Sequence, residues 1–283
     1  MTAAPQYLEP ASLREALDLL AEGGTAVLGG GTQLVPALRD GGPGTGGRPR
    51  RLLDPRRIAE LSGIRQDKDR LSIGALTRLS DLASSPQAAA RAPLLSRAAG
   101  ITSVPQMRNR GTLGGKLFNP GRFAEIAASL LVLGGEVRLL RAGGERRVGL
   151  AEFLCRPGGP RVSEDELLVS VDVNAARPLR ASLQVIEPLR WRSPYHLALA
   201  LARPAPREVH FALAGSAGVF GRFERTLGDG GDDGATGESR AAAAASRDFR
   251  ARHPEARDTY TDLILEGLVR RGIEDALQER GET

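Results

Sequence analysis

Apolar residues along the chain recur in blocks that switch between helical and strand spacing, with glycine pairs between them. Leu8 to Leu20 opens the fold, with Ser12 as N-cap and Leu13, Ala16, Leu17 and Leu20 spaced on one helix face. Gly23-Gly24 ends that helix, and Thr25–Leu28 is expected as a short strand running into Gly29-Gly30-Gly31. A helix is expected at Val35–Arg39. Residues 40–47 are read as a glycine-rich surface loop, and strands follow at 51–54 and 71–75. Thr77 is read as the cap of a helix through Leu79 and Leu82, and a further helix is expected over 91–99. An apolar run at 124–133, stopped by Gly134-Gly135, predicts a helix. A hairpin is expected around Ala142-Gly143-Gly144-Glu145, then a loop at Pro157-Gly158-Gly159-Pro160. Beyond a boundary near 174–180, the pattern predicts a strand at 181–186, a helix at 194–202 and a strand at 209–214. A disordered glycine-rich stretch is expected at 228–237.

Two glycine-rich stretches carry the candidate chemistry. Val27-Leu28-Gly29-Gly30-Gly31-Thr32-Gln33-Leu34 runs from strand to turn, and Arg108-Asn109-Arg110-Gly111-Thr112-Leu113-Gly114-Gly115-Lys116 puts two glycines beside a threonine and cations. Without a Cβ, glycine lets successive backbone N–H groups converge on an anion. Both stretches are read as loops, the second free to hold phosphate ahead of a helix. The N–H groups of Gly30, Gly31, Thr32, Thr112, Gly114 and Gly115 are the expected donors to a pyrophosphate. Neither stretch fits the dinucleotide pattern Gly-x-Gly-x-x-Gly or the Gly-Lys-Ser/Thr ending of a P-loop. A glycine turn packed for steric reasons is the competing reading of each alone.

Taken together they resemble a known family. Gly-Gly-Gly-Thr-Gln-Leu at 29–34 and Arg-Asn-Arg-Gly-Thr-Leu-Gly-Gly at 108–115 are similar to the two FAD loops of the flavoprotein (medium) subunits of molybdenum hydroxylases. These include the xanthine dehydrogenase and carbon monoxide dehydrogenase flavoproteins, with a PCMH-type FAD-binding fold. The resemblance implies an α+β protein: a two-part FAD-binding domain over 1–175, with subdomains of about 1–55 and 56–175, and a smaller α+β domain over 180–283; it also implies a strand after the 124–133 run, a closing strand over 165–173 and a last helix over 259–273. It implies FAD held by Val27, Leu28, Gly29, Gly30, Gly31, Thr32, Gln33, Leu34, Asn109, Gly111, Thr112, Leu113, Gly114, Gly115, Lys116, Glu125 and Leu168. Glu125 is either the acid that fastens the flavin's polar tail or ribose, or a helix-start cap. Leu168 is either a backbone flavin contact or a buried strand leucine.

The same resemblance implies an FAD-dependent oxidoreductase subunit passing electrons between a molybdopterin and 2Fe-2S partner and NAD or another acceptor. Two alternatives stand beside it: a free-standing flavin oxidoreductase acting on a small molecule, and a scaffold that has lost FAD. Departures from the family pattern motivate the first. Lys116 stands for the usual asparagine, Glu125 for the usual aspartate, and Phe118 and Phe123 stand where small residues are usual.

Composition narrows the rest. A chain of 283 residues, 41% hydrophobic and 26% charged, is an ordinary globular length and balance. The net charge of +5 is nearly all arginine, with Lys68 and Lys116 the lysines, interleaved with acids and only 4% aromatics. That argues against nucleic-acid binding. One cysteine, Cys155, excludes an internal disulfide and cannot hold an iron–sulfur cluster alone. His196, His210 and His253 have no metal-ligand spacing. No apolar run approaches a membrane span, no signal peptide is evident, and the protein is expected in the cytoplasm.

Overall fold

The computed structural model describes residues 4–40, 49–118, 124–155, 162–175, 180–186, 197–205, 208–215 and 218–226, with a few helical positions between 243 and 275. The chain forms two compact units, Met1–Asn119 with Gly134–Ala176, and Pro120–Leu133 with Arg177–Thr283. The loops expected at 157–160 and 228–237, and most of 40–47, lie outside the described residues.

The first unit begins with strand β1 (Gln6–Leu8), helix α1 (Leu13–Ala21) and strand β2 (Thr25–Val27). The Ser12 hydroxyl accepts from Glu15 N–H at 3.2 Å, satisfying one of the orphan donors of the first turn, so the cap sits where the sequence placed it. Helix α2 (Leu34–Asp40) follows the glycines, and strand β3 (Arg51–Leu53) completes a parallel sheet of order β1-β3-β2. Ala16, Leu17 and Leu20 of α1 join Leu53, Ile58, Leu61, Leu167 and Val169 in one core cluster. Each buried leucine there contributes about 1.5–3 kcal/mol.

Just past β3, Asp54 is buried and accepts from the Tyr7 hydroxyl, from Arg56 Nε at 2.7 Å and from Arg56 N–H at 3.1 Å. Burial pushes its carboxyl up, but the hydrogen bonds from Arg56 and Tyr7 outweigh this and hold it below the usual range. The contact ties β1 to the end of β3.

A second sheet is antiparallel, of order β4-β5-β8-β6-β7. It comprises β4 (Ile64–Asp67), β5 (Arg70–Gly74), β6 (Gly135–Arg141), β7 (Gly144–Gly149) and β8 (Leu167–Asn174). The expected hairpin is present, with Arg141 paired to Gly144. Between β5 and β6 run helices α3 (Leu79–Ser84), α4 (Pro86–Arg91), α5 (Pro93–Ile101), α6 (Pro105–Arg108), α7 (Leu113–Phe118) and α8 (Glu125–Leu133); α9 (Leu150–Leu154) follows β7. Instead of one helix over 91–99 there are two, broken at Ala92. Pro93 disfavours the helical region for the residue before it, and Ala92 sits at φ −140°, ψ 59°. Thr77 is not the cap of α3 either; Arg78 holds that position, and the Thr77 hydroxyl donates to the Gly63 carbonyl at 3.0 Å.

At the start of β8, Glu166 forms a two-pronged ion pair with Arg146, Nε to Oε1 at 2.6 Å and Nη2 to Oε2 at 2.8 Å, and accepts from Ser163 N–H at 2.9 Å. The Arg146 hydrogen bonds outweigh burial and lower the Glu166 carboxyl from 4.5 to about 2. A carboxyl depressed on folding stabilises the protein above its unfolded value of 4.5, and that contribution is lost as pH falls toward about 2. Because Arg146 is half exposed, solvent screening limits the effect to about 1–2 kcal/mol. Glu166→Gln is therefore expected to lower stability at pH 7 by that amount and to flatten the acid limb of the stability curve in this window. Parallel curves for the two proteins below pH 4.5 would contradict it.

The second unit contains a four-stranded antiparallel sheet of order β12-β11-β10-β9, made of β9 (Arg180–Ile186), β10 (Leu197–Ala205), β11 (Glu208–Gly215) and β12 (Gly218–Thr226). Helix α8 is buried all round and packs on β10, β11 and β12. The helix expected over 194–202 is strand β10 over its described part, 197–202. Leu197-Ala198-Leu199-Ala200-Leu201-Ala202 alternates with period two, and that spacing outweighs the helical propensity of leucine and alanine. Residues 267–272 are helical, as expected for the last helix; 259–266 lie outside the described residues. Among the described residues no helix is long and apolar enough to cross a membrane, and no group of three or more His, Cys, Asp or Glu could hold a metal.

Candidate functional site

The first glycine loop leaves the carboxyl edge of the parallel sheet. Leu28 N–H donates to the Leu53 carboxyl-edge carbonyl at 2.8 Å, extending β2 by one residue before the chain turns away. In open α/β sheets this edge is where ligands bind. Gly31 sits at φ +71°, and its carbonyl accepts from Val35 N–H at 3.2 Å, bending the chain into α2. The N–H groups of Gly29, Gly30, Gly31 and Thr32 donate to no group among the described residues.

The second stretch is built differently from its expectation. Gly114, Gly115 and Lys116 lie within the short helix α7 rather than in a loop. The backbone beyond β5 runs against it: Leu79 N–H donates to Gly111 O at 3.0 Å, Leu113 N–H to Thr77 O at 2.9 Å and Gly114 N–H to Ala75 O at 2.8 Å. Gly115 N–H donates to the Thr112 hydroxyl oxygen at 3.2 Å. The N–H groups of Gly114 and Gly115, expected to face a phosphate, are thus committed inside the protein. Gly114 has a different reason to be glycine: a Cβ there would meet Ala75 O at 3.0 Å and Leu168 Cδ2 at 3.3 Å. Leu168, expected at the site, is therefore brought against α7.

The two stretches meet. A Cβ on Gly30 would lie 1.9 Å from Arg110 O and 2.9 Å from Gly111 Cα, and one on Gly29 would lie 2.9 Å from the Thr112 hydroxyl. Only glycine allows so close a backbone approach. The buried Thr112 hydroxyl thus stands at the joint, accepting from Gly115, with its own O–H given to no acceptor among the described residues. Asn109 ends α6, its N–H donated to Pro105 O at 2.9 Å, and its residue is exposed. Val27 is the last residue of β2, and Gln33 and Leu34 enter α2. Glu125 begins α8 in the second unit and is buried at 2% exposure.

This donor set fits an anionic dinucleotide. Among the described residues the N–H groups of Gly29, Gly30, Gly31 and Thr32 and the Thr112 hydroxyl are left as donors, of the kind that bind phosphate, on two stretches packed backbone to backbone at Gly30. Sequence reasoning missed the contribution of Ala75 and Thr77, whose carbonyls hold α7; no short-range signal marks a carbonyl partner some 36 to 39 positions away. A separate shallow cleft of about 580 Å³, lined by Lys68, Asp69, Arg70, Glu136 and Asp172 among others, shares no residue with the glycine stretches.

Residues 3–174 match the family described as the FAD binding domain in molybdopterin dehydrogenase, and the chain belongs to that family. FAD is accordingly its cofactor, and its relatives are dehydrogenase subunits. It is 37% identical over 169 residues to the 6-hydroxypseudooxynicotine dehydrogenase complex subunit alpha of Paenarthrobacter nicotinovorans, covering 59% of this chain. It is 34% identical over 172 residues to the carbon monoxide dehydrogenase medium chain of Hydrogenophaga pseudoflava, covering 60% of this chain. These matches span 56% and 58% of the relatives' own lengths. With the caffeine dehydrogenase subunit beta of Pseudomonas sp. strain CBB1 the identity is 33%, over 78% of this chain and 69% of the relative. Among solved structures, a carbon monoxide dehydrogenase from Hydrogenophaga pseudoflava that lacks the Mo-pyranopterin moiety superposes with a TM-score of 0.77 at 25% identity, covering 98% of each chain. The mixed helix and sheet architecture is thus shared along the chain.

Proposed function

We propose that this chain is the FAD-binding subunit of an oxidoreductase complex, passing electrons between a molybdopterin- and iron–sulfur-bearing partner and NAD or another acceptor. The observation that carries the reading is the abutment of the two glycine stretches, beside which the N–H groups of Gly29, Gly30, Gly31 and Thr32 have no acceptor among the described residues. In this reading those groups and the Thr112 hydroxyl bind the pyrophosphate, while Gly111, Leu113, Gly114, Gly115 and Leu168 set how closely α7 approaches it. Val27, Leu28, Gln33, Leu34, Asn109 and Lys116 complete the contact set, with residues 1–175 as the FAD-binding domain and 180–283 as a second domain. FAD, when bound, supplies the redox chemistry, and the protein supplies orientation, electrostatics and exclusion of water. The relatives' names, as a complex subunit and a medium chain, support a multi-subunit setting.

The test is anaerobic. The FAD-loaded chain is mixed with candidate small-molecule substrates, first alone and then with molybdopterin and iron–sulfur subunits added. The account expects flavin bleaching only in the second mixture. Substrate-driven bleaching by the chain alone would replace it with a free-standing oxidoreductase.

A further inference from the structure

Phe118 closes α7 with 41% of its surface exposed. Residues three apart share a helix face, so Phe118 stands one turn beyond Gly115 on the exposed side of α7, while Leu113, Gly114 and Leu117 are buried on the other. Gly115 is the residue whose N–H meets the Thr112 hydroxyl at the joint of the two stretches. Phe118 thus presents a large apolar ring to solvent on the face of α7 that also carries Gly115. The ring packs at right angles to that of Phe153 of α9, centroids 5.8 Å apart at 81°, and Phe153 is 3% exposed. A single T-shaped contact takes up one edge or one face of a ring and leaves it at least one face for stacking.

We propose that Phe118 is a binding contact for a planar ring of the dinucleotide, held in place by Phe153. The proposal rests on the reading of this site as an FAD site. A pyrophosphate at the glycine joint leaves the ring systems on either side of it, and one helical turn, about 5 Å, separates Gly115 from Phe118. Stacking on one aromatic side chain changes affinity by about tenfold. Phe153 acts through Phe118 and is a positioning residue.

The experiment measures FAD dissociation constants on purified full-length protein by equilibrium ultrafiltration, with ADP as a second probe and thermal unfolding in parallel. Phe118→Ala is expected to weaken FAD about tenfold, Phe118→Tyr to restore it to near the original value, and Phe153→Ala to weaken it about threefold. Loss of ADP affinity along with FAD would assign the contact to the adenine, and unchanged ADP affinity to the isoalloxazine; both support the proposal. An unchanged FAD constant in Phe118→Ala, with only a lowered Tm, would make Phe118 a prop for α9 and overturn it. If the unsubstituted protein takes up no FAD, the underlying reading fails first, and this inference with it.

Discussion

Gly30→Ala is expected to yield a folded protein that has lost at least a hundredfold in FAD affinity. The added Cβ would lie 1.9 Å from Arg110 O and 2.7 Å from its carbonyl carbon, backbone atoms that cannot swing away as a side chain does. The two stretches must separate, which moves the Thr112 hydroxyl away from the N–H groups of Gly29 to Thr32. Losing two or more charge-assisted hydrogen bonds at about 1.5–3 kcal/mol each accounts for the fall. Overpacking adds about 1–3 kcal/mol of destabilisation, which thermal unfolding of the apo proteins would report. The control is Gly143→Ala, where an added Cβ meets nothing within 4 Å; it should leave FAD binding unchanged. Equal affinity in Gly30→Ala and the original protein would mean the joint does not form the site.

Gly135→Ala is expected to be the most damaging single methyl for stability. Gly135 sits at φ +130°, where L-residues are strained, and its Cβ would lie 2.0 Å from Asp172 O in the neighbouring β8. Backbone strain of about 1–3 kcal/mol and overpacking of similar size add to about 4 kcal/mol, a large part of a typical domain's stability. The cost falls on the β6–β8 pairing, where Gly135 faces Val173 and Glu136 faces Asp172. Denaturant unfolding should show the midpoint falling sharply with the slope little changed. A variant within about 1 kcal/mol of the original would show that the strand shifts to accept the methyl.

Local chemistry made several elements legible. The Ser12 cap and the spacing of Leu13, Ala16, Leu17 and Leu20 define α1. The apolar run ended by Gly134 defines α8, and the Gly143-Gly144 turn fixes the β6–β7 hairpin. Where the reading failed, two rules competed or the partner lay far away. Over 197–202, the propensity of leucine and alanine pointed to helix, while their alternation and the pairing with β9 and β11 made a strand. Strand β1 is short and owes its existence to a neighbour distant in the chain, Gln6 pairing with Arg51, whereas β4 is short and polar and is set by the turn at Lys68 that pairs Asp67 with Arg70.

At the site, both glycine stretches were legible as such, but not the division of labour between them. Gly29 to Thr32 keep their N–H groups uncommitted, whereas those of Gly114 and Gly115 are given to Ala75 O and Thr112 Oγ1. The sequence shows that a Cβ is missing; it does not show whether a ligand or the protein's own backbone occupies the space. Here Gly30 makes room for the Arg110–Gly111 backbone, which joins the two stretches, and Gly114 makes room for Ala75, which seats α7.

The most direct test of the central claim is the visible absorption spectrum of the purified protein after incubation with FAD and desalting. The account predicts the bands of oxidised flavin at close to one FAD per chain, and their absence in Gly30→Ala prepared the same way. A featureless spectrum from the unsubstituted, folded protein would contradict it, leaving two packed glycine stretches that hold no cofactor.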